Sequence, residues 1–263
     1  MVVQPRGCAY VDETLTRSTV QVCGRLVVEL AGRRREQLMP GRIGRLLFVY
    51  LVLNRTRDVS GDELVEILWS AGAPPGAEAT LRTLVSKLRR ALGTETLRRG
   101  GAYRLSLPAD VLVDLEAAID AIHRAETAVA AGDWKRAWGP SQVALFTARR
   151  GFLPDDEAPW IERQRQELAE MELRALECYA AACLGVGGIE LPAAERSARR
   201  LVEREPYRES GHRILMRALA ANGNVADALR AYERLASLLR DELGVDPGPQ
   251  TKDVHRELLR LTS

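Results

Sequence analysis

The chain has 263 residues, 46% hydrophobic and 28% charged, enough apolar material for a sizeable core, which excludes a disordered or fibrous protein. Its longest apolar run, Leu46 to Leu53, is too short to cross a bilayer, and the first residues hold no export signal, so no membrane partner and a cytoplasmic location are expected. The formal net charge of +2 conceals a division: residues 1–105 hold 17 Lys+Arg and 10 Asp+Glu, a balance of +7, and the remainder hold 21 and 26, a balance of −5, which points to a polyanion partner for the first part.

Residues 1–18 are expected to form a flexible N-terminus. Thr19 to Leu30 alternates and is rich in Val, predicting one or two strands broken at Gly24, with turn residues Ala31 and Gly32 after them. Ile43, Leu46, Leu47, Tyr50 and Leu51 recur at helical spacing and predict a first helix between Gly41 and Asn54. Ser60-Gly61-Asp62-Glu63 is a capping box opening a second helix that Trp69 closes. Ser70, Ala71, Gly72, Ala73, Pro74, Pro75 and Gly76 form a loop, because Pro lacks the amide donor a helix needs and restricts its predecessor. A third helix spans Ala77 to Leu92, with Leu81, Val85, Leu88 and Leu92 as its buried stripe and Gly93 as its stop. Thr96 to Arg99 and Tyr103 to Leu107, joined at Gly100-Gly101, read as a β-hairpin. Strands, three helices and a closing hairpin describe a winged helix-turn-helix.

Beyond Pro108 the pattern is helical only, rich in Ala, Leu, Arg and Glu, so a domain boundary is expected between Pro108 and Val113. Helices are predicted at about 114–131, 133–149, 159–184, 191–204, 207–221, 224–242 and 250–261. Ala194, Ala198 and Leu201 stand 34 residues before Ala228, Tyr232 and Leu235, the period of a tetratricopeptide unit, and Pro206 ends the first of these helices as such a unit would. Small residues at helix crossings allow close approach, which suits stacked helix pairs.

The chemistry of catalysis is missing from the pattern. Cys8, Cys23, Cys178 and Cys183 make no CxxC, and His123, His212 and His255 are scattered, so neither a disulfide framework nor a metal site is expected. Asp155-Asp156-Glu157 and Asp241-Glu242 have no His, Lys or metal partner nearby in sequence and read as a loop and a helix surface. Trp69 and Trp160 stand beside apolar stripes and read as core. With no phosphate loop and no nucleophile elbow, the chain is expected to be no enzyme and to need no cofactor.

Duplex recognition needs a helix that locks one face into the core and offers donors and acceptors from the other. The third helix has that form: Thr83 and Lys87 lie one turn apart on its outer side, placed for a major groove, with Ser86, Arg89 and Arg90 able to hold flanking phosphates and Arg82 beside them. Arg98 and Arg99 on the hairpin would reach a neighbouring minor groove or phosphates.

Val59 to Leu64 with Leu68-Trp69, followed by Ala79 to Leu92, resembles the DNA-binding domain of the SARP family, the antibiotic regulatory proteins of actinomycetes. Leu243-Gly244-Val245-Asp246-Pro247, with Ala228 and Tyr232 upstream, resembles the bacterial transcriptional activator domain that follows it in that family. The resemblance implies an OmpR-type winged helix that binds direct repeats at promoters and recruits RNA polymerase. Carried over, it puts Thr83 and Lys87 on bases, Thr80, Ser86, Arg89 and Arg90 on phosphates, Arg99 in the minor groove, and the loop Ser70 to Gly76 against polymerase. The sequence departs from the family at Leu84, where an aromatic residue or His is common, and at Ala102, in place of the second glycine of a Gly-x-Gly-Tyr wing.

The expected fold is therefore mainly α, an N-terminal winged helix-turn-helix (α+β) over 19–107 followed by an all-α tetratricopeptide-like domain over 108–263. The expected function is a sequence-specific DNA-binding transcription activator of secondary-metabolite genes, with double-stranded promoter DNA, RNA polymerase and other copies of itself on DNA as partners. The alternative is a helical-repeat adaptor for protein partners with weak or no DNA binding.

Overall fold

The computed structural model describes residues 18–70, 72–93, 97–99 and 102–261. These fall into two units that divide after Val113.

The first unit begins with β1 (Thr19–Gln21) and β2 (Val27–Leu30), antiparallel with Val20 opposite Val28, and adds β3 (Arg33–Arg34). Strand alternation sends Val20, Val28 and Leu30 into the core. The tight return from β2 to β3 holds Ala31 and Gly32 at φ 49° and 72°, a left-handed geometry that glycine adopts without cost. β7 (Leu112–Val113) runs parallel to β1, Thr19 opposite Leu112, and completes a sheet of order β3-β2-β1-β7.

Two expectations are corrected here. Residues 108–113, expected in the helical domain, lie on the near side of the division, because β7 finds its backbone partners in β1. Ser18, expected in the flexible N-terminus, is buried: its carbonyl accepts from Leu112 N at 2.9 Å and its hydroxyl from Ala31 N at 3.2 Å. The rest of that expected N-terminus, residues 1–17, lies outside the described residues.

α1 (Gly41–Leu53) buries Leu46, Leu47, Phe48, Val49, Leu51 and Val52, more than one stripe, as a helix at the centre of a unit must. β4 (Val59–Ser60) leads directly into α2 (Gly61–Leu68), and α3 (Ala77–Leu92) follows the Pro-containing loop. β5 (Leu97–Arg99) and β6 (Ala102–Leu105) form the hairpin, with β6 also pairing β4, Val59 opposite Tyr103. Ser60 therefore serves twice: its backbone extends the hairpin sheet opposite Ala102 while its Oγ caps α2 by accepting from Glu63 N at 3.1 Å.

The second unit is a succession of helices, α4 (Asp114–Ala130), α5 (Trp134–Ala148), α6 (Pro159–Val186), α7 (Leu191–Arg204), α8 (Glu209–Ala221), α9 (Val225–Leu243) and α10 (Pro249–Arg260). Each packs on the next through α9, and α4 also meets α6 and α6 meets α8, the arrangement of stacked helix pairs. The small residues of the repeat pattern occupy the crossings: Ala194 and Ala198 of α7 and Ala228 of α9 are fully buried, as are Leu201 and Leu235. Tyr232, half-buried, stacks on His255 with ring centroids 3.8 Å apart.

The Leu243 to Pro247 signature has a structural reason. Gly244 ends α9 in the left-handed region at φ 67°, and Val245 N returns to Leu239 O at 3.2 Å, the pairing that closes a helix C-terminus. Glu209 of α8 then accepts from Gly248 N at 3.1 and 3.0 Å, which sets the start of α10. The Asp155 to Glu157 loop is held through its backbone, since Arg165 donates to the carbonyls of Phe152, Leu153 and Asp156 at 3.0, 2.7 and 2.7 Å. Cys178 and Cys183 are buried, and burial pushes their thiols up to about 12 and about 11, which leaves both unreactive. Trp160 is buried edge-on against Phe152, whereas Trp69 is half-buried at the end of α2.

Candidate nucleic-acid interface

α3 buries Ala77, Leu81, Val85, Leu88, Ala91 and Leu92 against the rest of the first unit. Its other side is polar: Thr80, Arg82, Thr83, Ser86, Lys87 and Arg90 are exposed, and Arg89 is half-buried where the outer side turns toward the core. Thr83 and Lys87, expected on bases, lie in one row that Arg90, expected on phosphate, continues, and Arg82, Ser86 and Arg89 form the adjoining row.

Their bonding limits what each offers. Thr83 donates its hydroxyl to Ala79 O at 3.0 Å and Thr80 to Gly76 O at 3.2 Å, which leaves both oxygens as acceptors toward an incoming amino group. Arg82 lies in an exposed ion pair with Glu78 at 3.2 Å, a contact that water screens and a phosphate can replace. Leu84 is half-buried and, with Leu38 and Pro40, forms the apolar side of an open groove of about 580 Å³ whose polar side is Lys87 and Arg90. Leu38 is 56% exposed and had no sequence signal, since it lies outside every periodic stretch.

Contacts within the first unit set the attitude of α3 and of the helix before it. Arg35, just past β3, donates to the Ala91 carbonyl at 3.4 Å, a cation at a helix C-terminus. α1 packs on both α2 and α3, and α2 on α3. Tyr50 of α1 donates to Glu63 Oε1 of α2 at 2.6 Å, and Arg57 from the turn between them donates to Glu63 Oε2 at 2.9 Å. Hydrogen bonding from Arg57 holds the Glu63 carboxyl below the usual carboxylate range, and burial pushes the Tyr50 hydroxyl up. Local spacing places Glu63 in the capping box alone. Its second task depends on Tyr50, thirteen residues earlier, for which no local pattern exists.

The loop before α3 is exposed at Ser70, Gly72, Ala73, Pro74, Pro75 and Gly76, and Ala71 lies outside the described residues. Ala77 N bonds to Pro74 O at 3.1 Å and Gly76 turns at φ 77°, so the chain enters α3 through a defined corner. In the hairpin, Leu97 and Leu105 are buried, and Arg98 and Arg99 pair with Arg104 and Tyr103 across the ladder. The side chains of Arg98 and Arg99 and the turn Gly100-Gly101 lie outside the described residues. Arg104 is engaged elsewhere, in an ion pair with Asp58 at 2.8 Å.

Among the described residues, no group of His, Cys, Asp and Glu is arranged to hold a metal ion, and no helix is long and apolar enough to cross a membrane. Residues 113–259 match the bacterial transcriptional activator domain. The chain is 34% identical over 217 residues to the regulatory protein AfsR of Streptomyces griseus, covering 82% of this chain and 22% of that one. It is 30% identical over 268 residues to the transcriptional regulatory protein MoaR1 of Mycobacterium tuberculosis, 97% of this chain and 84% of that one. A solved structure of Mycobacterium tuberculosis EmbR, in complex with a low affinity phosphopeptide, superposes with a TM-score of 0.77 at 29% identity, over 93% of this chain and 65% of that one. The chain thus spans about a fifth of AfsR and most of MoaR1.

Proposed function

Because the chain belongs to the SARP family of transcriptional regulators, with a bacterial transcriptional activator domain over most of its second unit, we propose that it is a sequence-specific DNA-binding activator that reads duplex DNA with α3. The observation that carries this reading is the two-sided build of α3: an apolar stripe locked into the core behind an exposed row of Thr83, Lys87 and Arg90.

An α-helix fits the B-form major groove, which is about 12 Å wide. In that position Lys87 donates to guanine O6 or N7, and Thr83, its hydroxyl proton already given to Ala79, accepts from an adenine or cytosine amino group. Thr80, Ser86, Arg89, Arg90 and Arg82, the last once released from Glu78, hold phosphates on either side. Arg98 and Arg99 on the hairpin take the minor groove or its phosphates. The balance of +7 over residues 1–105 favours the encounter with a polyanion.

The reading extends, on family grounds, to direct repeats upstream of promoters of secondary-metabolite genes. There the loop from Ser70 to Gly76 meets RNA polymerase, with Pro74 and Pro75 stiffening an exposed corner, and copies of the chain assemble side by side on the DNA. Nothing in this mechanism calls for an enzymatic step, a cofactor or a membrane.

The test is a gel-shift titration against salt with the chain's neighbouring promoter fragments. Arg90→Ala should reduce the salt slope by about one while leaving sequence preference intact, and Lys87→Ala should also relax preference at one base position. Parent-like binding by both variants would remove α3 from the interface.

A further inference from the structure

The second unit holds a groove of about 400 Å³ walled by α4, α6 and α8, the helices that meet one another in alternation along the stack. Arginines from two of those walls dominate its polar lining. Two of them are neutralised in place: Arg174 of α6 holds Glu126 of α4 in a two-point contact at 2.6 and 2.7 Å, and Arg208 holds Glu177 at 2.7 Å. The other two, Arg213 and Arg217 of α8, are held more loosely and by partners outside the groove lining. Arg213 donates to the neutral Thr251 hydroxyl at 3.3 Å, and Arg217 donates to Glu257 at 3.5 Å in an ion pair with both side chains more than half exposed, a contact that water screens and an incoming carboxylate can replace. The groove therefore carries positive charge on the α8 wall within a unit whose overall balance is negative. Opposite that wall, Val129 and Ala130 of α4 give it an apolar side.

We propose that this groove binds an extended peptide from a partner protein, with acidic side chains at alternate positions and apolar residues between them. Spacing supports the match. Arg213 and Arg217 stand one turn apart, about 6 Å along the helix axis, and alternate residues of an extended chain repeat every ~6.6 Å on one side. Carboxylates on that side meet the two guanidiniums, which suit them in fork geometry, while the intervening side chains turn toward Val129 and Ala130. The fixed ion pairs Arg174–Glu126 and Arg208–Glu177 hold the wall side chains in place, which lowers the entropic cost of binding. A duplex cannot enter a groove of this size, so the site is separate from α3, and its failure would leave the DNA-binding reading untouched.

The test uses the full chain and a fluorescein-labelled peptide of alternating Asp and Leu, followed by anisotropy. Saturable binding is expected, weakened about tenfold or more by Arg217→Glu and further by the double variant with Arg213→Glu. Arg200→Glu, exposed on α7 and outside the groove, should bind as the parent does. Should the double variant fail to fold, Arg217→Glu at its exposed site carries the result. Equal binding of a peptide with Asn for every Asp, parent-like binding by Arg217→Glu, or displacement by succinate as effective as by unlabelled peptide would each overturn the proposal.

Discussion

The Tyr50 hydroxyl of α1 donates to Glu63 Oε1 of α2 at 2.6 Å, joining the central helix of the first unit to the helix that precedes α3. Arg57 closes on the same carboxylate from the turn between them, so three residues fix the angle at which the helix-turn-helix leaves α1. None of the three belongs to the face proposed to read DNA.

This clasp predicts a stability loss with a pH signature. Tyr50→Phe should cost about 1 kcal/mol, a modest figure because the Arg57 side chain is 47% exposed and water screens part of the contact. Glu63 is held below its ordinary value of 4.5, so the stability it adds is complete above that pH and is lost as pH falls through the lowered value. Urea unfolding of Glu63→Gln should therefore show a smaller loss of stability on acidification than the parent. An acid profile identical to the parent's would count against the clasp.

The ion pair between Glu78 and Arg82 predicts a gain in binding. Glu78→Gln releases Arg82 and removes a like charge from the face offered to phosphate, so DNA affinity should rise at low salt for every sequence tested, and the salt slope should steepen by about one. Gel-shift titration of specific and random duplexes checks both parts, and an unchanged slope would mean that Arg82 stays clear of the backbone.

His212 predicts acid sensitivity in the second unit. It is buried, its Nε2 donates to Pro206 O at 2.9 Å, and burial lowers its pKa below 6.5. The unfolded chain therefore takes up a proton before the folded one does, and stability falls as pH drops from about 6.5 through the lowered value. His212→Gln, which keeps a donor for Pro206, should flatten that part of the profile in thermal melts followed by circular dichroism.

Packing at Gly185 predicts a large local effect. A Cβ there would overlap Trp134 Cγ, so Gly185→Ala must displace the indole at the start of α5 and should cost about 2 kcal/mol. At Gly61 a Cβ meets only Tyr103, at 3.8 Å, and Gly61→Ala should be neutral or stabilising by a few tenths of a kcal/mol, up to about 1. Chemical denaturation of the two variants should separate them in sign or size.

Elements with long or chemically marked patterns are legible in the residues alone. The apolar stripe of α3, the Ser60 cap, the Pro-containing loop and the seven later helices follow from spacings of a few residues, because helix periodicity and capping are local physics. The polar rows of α3 were legible for the same reason, since burying Leu81, Val85 and Leu88 forces Thr83 and Lys87 outward. Features that depend on distant partners arise only once the chain has folded. β3, β4 and β7 have two residues each, too few for alternation to show, and exist because β2, β6 and β1 offer them backbone partners. The pairing of β7 with β1 drew residues 108–113 to the first unit, and the folded chain alone could bring Tyr50 to Glu63 or gather Arg174, Arg208, Arg213 and Arg217 around one groove.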